Sequence, residues 1–141
     1  MTKYIKPELL APAGTFECLK TAFYFGADAV YLAGKSFGLR AFAANFDNDE
    51  LKLAVEYAHN FGKKIHVTVN SVIRNTQMDE LKDYLMFLAQ IGVDAVIVCD
   101  PAIIKIIRDN NINLEMHLST QTNTFNYMSC LFWHELGVKR V

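Results

Sequence analysis

The apolar positions of the chain follow two alternating periods, and their order predicts a wound α/β protein. Apolar residues at i, i+3, i+4 and i+7, as at Leu51, Ala54, Val55 and Ala58, indicate helices that are buried along one stripe. Short runs rich in β-branched residues lie between the helices and indicate strands at 8–11, 29–32, 65–69, 95–98 and 114–118. Strands that alternate with helices in this way predict a parallel sheet.

A glycine-containing segment recurs three times, at 26–30, 92–96 and 137–141. In each copy the glycine follows a helical stretch and supplies the left-handed residue that closes it, and a strand begins a few residues later. The third copy reaches the last residue, Val141, inside a sixth strand. We therefore expect five βα units plus the start of a sixth strand, with residues 1–141 as the N-terminal part of a single domain truncated at its C-terminal end.

Polar residues just before the helical stretches predict helix N-caps. The candidates are Thr15, Asp47 paired with Glu50, Thr76 paired with Asp79, Asp100 followed by Pro101, and Asn126. Asparagine tolerates the left-handed conformation, so Asn110-Asn111 takes the place of glycine in the turn that leaves the fourth helix.

Two strands alternate polar and aliphatic residues, which strands covered by helices on both faces do not do. In the third strand His66, Thr68 and Asn70 alternate with aliphatic residues, and His117 and Ser119 do the same in the fifth. Successive side chains of a strand point to opposite faces, so one face of the sheet is polar and the other packs against helices. This pattern fits the interior of a barrel better than an open doubly wound sheet.

Substrate sites of (β/α) barrels lie at the mouth formed by the carboxyl ends of the strands. Arg40 stands in an otherwise apolar loop, where a cation calls for an anionic partner in the protein or the substrate. Asn70 has both the inward phase and the strand-end position. The candidate substrate-binding residues are Arg40, Asn45, Asn70, His117, Ser119 and Gln121, followed by His66 and Asp100.

Simpler roles compete for several of these residues. Asp100 fits a helix cap, and Ser119 with Thr120 fits a turn. His66 fits a hydrogen-bonded interior histidine because no second histidine stands at ligand spacing, although His117 could approach it across the lumen. No metal site is predicted, and the catalytic residues are unknown.

Composition narrows the class of protein. The 141 residues are 52% hydrophobic and 21% charged, with a net charge of −1 that gives no electrostatic support for nucleic acid binding. Cys18, Cys99 and Cys130 form no CxxC or Cys/His pair, so we expect free thiols, with Cys18 and Cys130 packed as small core residues. No leader segment and no apolar run near the ~20 residues that span a bilayer are present, so a cytoplasmic location without membrane contact is the default.

Four segments together resemble the N-terminal half of the collagenase-like peptidase family of unassigned catalytic mechanism, number thirty-two. They are ELLAPAG at 8–14, GADAVYL at 26–32, LRAFAANF at 39–46 and HLSTQ at 117–121. The resemblance covers essentially the whole chain without selecting a subfamily. It implies a partial TIM-type (β/α) barrel with a parallel sheet.

The resemblance also implies several activities. Members are named peptidases or proteases, which are hydrolases, and several bacterial members act in hydroxylation of tRNA uridines, of a ribosomal cytidine or of ubiquinone. An iron–sulfur cluster is implied for some full-length relatives, with prephenate as a partner metabolite in the tRNA branch. The cluster-binding cysteines of the family lie beyond Val141, so no cofactor is expected in this chain.

Two functions stay open at this point. The first is an N-terminal enzyme fragment, inactive by itself, whose full-length protein acts on RNA or a small molecule. A tRNA or rRNA hydroxylation protein is favoured over a protease because no nucleophile, base and oxyanion group can be pointed to. The second is a non-catalytic half-barrel that serves binding or assembly and is completed by a partner chain. Open strand edges further predict a homo-oligomer or association with the missing half-barrel.

Overall fold

The computed structural model describes residues 6–39 and 45–141. Within these ranges, five strands alternate with five α-helices, as the sequence predicts. Their bounds are β1 Leu10–Pro12, α1 Phe16–Tyr24, β2 Ala29–Ala33, α2 Asn48–Asn60, β3 Lys64–Val69, α3 Met78–Gln90, β4 Ala95–Val98, α4 Pro101–Asp109, β5 Glu115–Leu118 and α5 Tyr127–Glu135. Two 3-10 turns, at Asn75–Gln77 and Thr120–Thr122, follow β3 and β5.

All strand pairs are parallel, and the strands lie side by side in chain order from β1 to β5. A doubly wound sheet would reverse its order at some point, whereas a (β/α) barrel keeps it. The start of a sixth strand pairs with β5, because Lys139 N–H donates to Met116 O at 2.9 Å and Leu118 N–H to Arg140 O at 2.8 Å. The predicted fold class is therefore confirmed, with a sheet that is open and compatible with a barrel.

Helix caps and glycine turns hold most of the elements at the predicted places. The side chains of Thr15, Asp47, Asp100 and Asn126 each accept a backbone N–H at the start of a helix, and Asp47 with Glu50 forms a full capping box. Positive φ angles at Gly26, Gly92, Gly137 and Asn111 close the preceding helices, as expected.

The capping box predicted for Thr76 with Asp79 is wrong. The chain first makes the 3-10 turn that contains Thr76, and α3 begins only at Met78, so Thr76 does not occupy the cap position. Arg74 N–H instead donates to Gln77 Oε1 at 3.0 Å and closes that turn.

The hydrophobic core lies between one face of the sheet and the helices. The buried helix stripes are Leu51, Ala54, Val55 and Ala58 of α2, and Leu81, Tyr84, Leu85 and Leu88 of α3. They pack against the buried aliphatic residues of the strands, Val30, Leu32, Ile65, Val67, Val69, Val96 and Val98. The opposite face of the sheet is thereby left to the polar residues.

Two expectations about packing fail on the outer helices. Cys18 is exposed, because α1 buries the neighbouring Leu19 and one residue of a helix turns the side chain by about 100°. Cys130 is half-buried on α5, a helix that buries none of its residues. Phe125, Tyr127 and Phe132 are accordingly exposed along this helix and the loop before it. Among the described residues no helix has the length and apolarity needed to cross a membrane.

Candidate functional site

The polar residues of β3 and β5 share one face, as their alternation predicts. The rings of His66 and His117 meet edge to face with their centroids 4.7 Å apart, and the two residues are 1% and 4% exposed. The register pairs His66 with Ala95 and Ile97 with His117, which places the two histidines one layer apart across β4. The polar side chains of β3 and β5 therefore line the face of the sheet that points away from the helices, which we call the lumen face.

A pocket of about 460 Å³ lies above the histidines, at the carboxyl ends of the strands. Its polar lining includes four of the predicted site residues, Asn45, Asn70, Ser119 and Gln121, together with Thr68 and Thr120. Its apolar walls include Leu10, Tyr31, Ile97 and Leu118. No charged side chain lines the pocket in the described part of the chain.

Asn70 ties the loop after β2 to the end of β3. Its Oδ1 accepts a hydrogen bond from Leu39 N–H at 3.2 Å. The backbone N–H groups of Asn70 and Ser71 both donate to Phe37 O at 3.0 Å, and Phe37 itself has a positive φ of 58°. These three bonds hold the loop after β2 against the end of β3 at the pocket.

Ser119 and Gln121 form a second fixed polar unit after β5. The Ser119 hydroxyl donates to Gln121 Oε1 at 3.2 Å and accepts from Gln121 N–H at 3.4 Å. Ser119 is 8% exposed and caps the 3-10 turn that follows, so the turn expected for Ser119 and Thr120 is present. The side chains at this strand end are held by hydrogen bonds between residues two positions apart in the chain.

Charged residues gather at the opposite, amino end of the strands. Arg140 Nη1 donates to Glu8 Oε1 at 2.6 Å, and Lys64 Nζ lies 3.8 Å from Glu8 Oε2. The hydrogen bond from Arg140 lowers the pKa of Glu8, and that with His117 at 2.7 Å lowers the pKa of Glu115. This charged group lies outside the pocket, and its Glu8–Arg140 bond links the segment before β1 to the segment that pairs with β5.

Burial lowers the pKa of both lumen histidines. Burial, followed by the proximity of His117, lowers the pKa of His66 to about 4. Burial also lowers the pKa of His117, against the opposing effect of its bond to Glu115. The Nδ1 atom of His66 has no hydrogen-bond partner among the described residues. Neither histidine lines the pocket, so the structure places both beneath it and not at its wall.

Three further residues bear on the predicted site. Asp100 caps α4 by accepting from Ala102 N–H at 2.8 Å, and it is not among the residues that line the pocket. Arg40 lies outside the described residues. Cys99 donates its S–H to Asn70 O at 3.3 Å, and burial together with the nearby Asp100 raises the pKa of its thiol.

Sequence reasoning missed the apolar half of the pocket. Tyr31 and Ile97 line it, yet each belongs to a strand that reads as uniformly apolar. The strand register shows that their side chains lie on the polar face, because Tyr31 pairs with His66 and Ile97 with Thr68. Glu8 shows the same period, two and four residues before Leu10 and Pro12 of the same face.

The cysteines do not fit the iron–sulfur cluster that the resemblance implies for relatives. Cys18 lies on α1, Cys99 at the end of β4 and Cys130 on α5. Within 6–39 and 45–141, no three His, Cys, Asp or Glu residues come together as a metal-binding group.

Comparison with known proteins identifies the family. Residues 14–141 match the sequence profile of peptidase family U32. The chain belongs to this family. The U32 resemblance drawn from the four sequence segments is thus confirmed. A solved U32 peptidase superposes with a TM-score of 0.75 at 15% identity, over 98% of this chain and 60% of the other, which shows that the fold is shared.

Two curated relatives of this U32 chain carry names that refer to RNA hydroxylation. The tRNA hydroxylation protein P1 of Bacillus subtilis is 48% identical over 136 residues, which cover 96% of this chain and 32% of the relative. The 23S rRNA 5-hydroxycytidine C2501 synthase of Escherichia coli is 34% identical over 134 residues, which cover 95% of this chain and 20% of the relative. The chain thus spans less than a third of the length of either protein.

Proposed function

We propose that this chain supplies the first part of a (β/α) barrel in a tRNA hydroxylation protein, and that the pocket at the strand ends holds part of the substrate. The observation that carries the proposal is the 48% identity to tRNA hydroxylation protein P1 across nearly the whole chain, against 34% for the rRNA enzyme. An RNA substrate of this kind implies a cytoplasmic protein.

The pocket chemistry favours this function over proteolysis. Ser119 is the serine of the pocket and would be the candidate nucleophile, but its hydroxyl forms hydrogen bonds with the side chain and the backbone N–H of Gln121. A serine nucleophile needs a neighbouring base that takes its proton, and a side-chain amide is not one. The polar groups of the pocket are instead suited to binding and orienting a ligand, with Asn45, Asn70, Ser119 and Gln121 as the binding residues and Arg40 as a predicted contact for an anionic group.

The test uses the complete product of the gene that encodes this chain, expressed in bacterial cells that lack their own tRNA hydroxylation proteins. Mass spectrometry of nucleosides from purified tRNA should show hydroxylated nucleosides that are absent from cells with an empty vector. Gln121→Ala should lower their amount, whereas Asn113→Ala, at an exposed position away from the pocket, should leave it unchanged. A folded, well-expressed protein that modifies only 23S rRNA, or that cleaves gelatin and modifies no RNA, would overturn the proposal.

The exposed apolar residues of α5 favour a second role, association between two copies. Phe125 and Tyr127 are 86% and 75% exposed, and Phe132, five residues after Tyr127 on the same helix, is 55% exposed. Apolar surface of this kind is usually covered by a partner. Sedimentation across a wide range of concentrations should show a dimer that Phe132→Glu dissociates and that Phe61→Glu, at an exposed position on α2's exit turn, does not. A monomer at all concentrations would contradict this role.

A further inference from the structure

Phe37, in the loop after β2, has a backbone conformation that its side chain disfavours. Its φ of 58° lies in the left-handed region. The other non-glycine residues with a positive φ in the described part of the chain are Asn111 and Asn123. Asparagine tolerates this region because its short amide can hydrogen-bond locally, whereas a bulky aromatic residue is an outlier there. Such strain persists only where the surrounding structure fixes it, and strained residues are concentrated at functional sites.

The buried ring of Phe37 gives the reason why this position is not a glycine. Phe37 is 7% exposed and belongs to the hydrophobic core. Its ring lies against that of Tyr84 on α3, with the two centroids 5.6 Å apart. Glycine would adopt the positive φ without strain, but it would remove this contact between the loop and the core.

Three contacts around Phe37 together require the positive φ. The ring is held by Tyr84, and the carbonyl oxygen accepts two backbone N–H groups at the end of β3, each at 3.0 Å. The segment that enters Phe37 is held as well, because Lys35 N–H donates to Phe46 O at 2.9 Å. The φ angle relates this entering segment to the ring and the carbonyl group. A change to a negative φ therefore displaces at least one of the three.

The residues that Phe37 holds lie at the pocket. Asn70, whose N–H donates to Phe37 O, lines the pocket, and so does Leu39, two positions after Phe37. Leu39 N–H in turn donates to Asn70 Oδ1 at 3.2 Å. Phe37 itself is not among the residues that line the pocket. It therefore acts on a ligand through the two residues that it holds.

Resting on the proposed function, we propose that Phe37 is a positioning residue for the substrate that the pocket holds. Its ring anchors the loop in the core, and its left-handed backbone places Asn70 and Leu39 at the pocket wall. The packing of the loop against α3 thereby sets the shape of the pocket, although no atom of the Phe37 ring needs to meet the substrate.

Glycine and alanine substitutions test the backbone conformation. Both remove the ring of Phe37, but only glycine adopts a positive φ without steric cost. Urea unfolding should therefore give a higher midpoint for Phe37→Gly than for Phe37→Ala. Phe46 is the matched control, because it is an aromatic residue of the same loop, 3% exposed, without a positive φ. There Phe46→Ala should be the more stable variant. A higher midpoint for Phe37→Ala than for Phe37→Gly would overturn the proposal.

Hydrogen exchange, followed by NMR on this chain, tests whether Phe37 holds the pocket wall. In Phe37→Ala the N–H groups of Asn70 and Ser71 should exchange at least about tenfold faster than in the parent chain. The N–H of Ser119, which donates to Val98 O at 2.8 Å on another strand end of the pocket, should change much less. Phe37→Leu, which keeps part of the apolar anchor, should show the same selective effect at a smaller size if Phe37→Ala does not fold. Unchanged exchange at Asn70 and Ser71, or equal acceleration at Ser119, would contradict the proposed role.

The complete gene product gives the functional measurement, in cells that lack their own tRNA hydroxylation proteins. At equal amounts of soluble protein, Phe37→Ala should lower the hydroxylated nucleosides at least about threefold, and Phe37→Leu should restore part of this loss. Leu53→Ala, at an exposed position on α2, should have no effect. Hydroxylation by Phe37→Ala at the parent level would overturn the proposal. No hydroxylation by the parent would refute the proposed function instead, and the unfolding midpoints and hydrogen exchange would still decide whether Phe37 positions the pocket residues.

Discussion

Gly34 and Tyr84 allow a quantitative test of the packing behind the pocket loop. A Cβ atom on Gly34 would overlap Tyr84 Oη and would lie 3.3 Å from both Tyr84 Cζ and Leu51 Cδ1. Gly34 has no positive φ, so alanine meets no backbone penalty there and its cost is steric. Tyr84 is 7% exposed, and its hydroxyl has no hydrogen-bond partner among the described residues.

The two residues should therefore be coupled. Gly34→Ala alone forces the ring of Tyr84 or the loop to move and should lower the free energy of unfolding by about 3 kcal/mol, at the upper end for overpacking. Tyr84→Phe alone removes a buried, unpaired hydroxyl and should be neutral or stabilising by about 1 kcal/mol. With Tyr84→Phe present, Gly34→Ala loses its worst contact and should cost only about 1 kcal/mol, which gives a coupling of about 2 kcal/mol.

Urea unfolding of the four proteins, followed by circular dichroism, measures all three values, and an unchanged slope with urea shows that only stability has altered. Gly34→Ala should lower the free energy of unfolding clearly less in the Tyr84→Phe protein than in the parent protein. An equal cost in both backgrounds would show that the loop does not rest against the Tyr84 hydroxyl. A loss of more than about 1 kcal/mol from Tyr84→Phe alone would show that the hydroxyl has a partner in the folded chain.

Three further predictions concern individual charges and caps. Burial lowers the pKa of His66 from 6.5 to about 4 in the folded chain, so the unfolded chain takes up a proton first as the pH falls. The free energy of unfolding should therefore fall by up to about 3 kcal/mol between pH 6.5 and pH 4. His66→Gln should reduce this pH dependence, as measured by urea unfolding at several pH values. Asp100→Ala should lower the free energy of unfolding by about 1 kcal/mol through the lost α4 cap, and Asp100→Asn much less, both measured by urea unfolding. Glu8→Gln should lower the free energy of unfolding by no more than about 1 kcal/mol, because the ion pair of Glu8 with Arg140 is partly exposed. This loss should become smaller at high salt, and a loss of stability that does not depend on salt would contradict the prediction.

Periodic signals in the sequence were sufficient to predict the scaffold. The burial of Leu51, Ala54, Val55 and Ala58 follows from helical spacing alone, and the lumen face follows from the alternation in β3 and β5. Both patterns are local, because a helix or strand sets the direction of each side chain relative to its neighbours in the chain. The caps at Asp47 and Asn126 are local for the same reason.

Contacts between distant segments could not be predicted in this way. Nothing in the sequence around Asn70 shows that its side-chain oxygen accepts a hydrogen bond from Leu39 N–H, 31 residues earlier. The sequence therefore predicts Asn70 as a binding group without the bond that holds its side chain. The close approach of Gly34 to Tyr84 is equally invisible, since it depends on how the loop after β2 meets α3. Register across the sheet, which brings Tyr31 and Ile97 to the pocket, is also a property of pairing and not of either strand.

The consecutive order of the strands has a consequence for how the chain reaches its fold. Each strand needs only the strand made just before it, as when Val30 pairs with Ile65 and Val67 with Val96, so loops closed during folding stay short and their entropic cost stays small. The sheet can grow from its leading edge as a chain leaves the ribosome, one βα unit at a time. The contacts of His66 with His117 and of Glu8 with Arg140 do not join neighbouring strands. The second joins residues 132 positions apart, and it can form only after the segment that contains Arg140 has paired with β5.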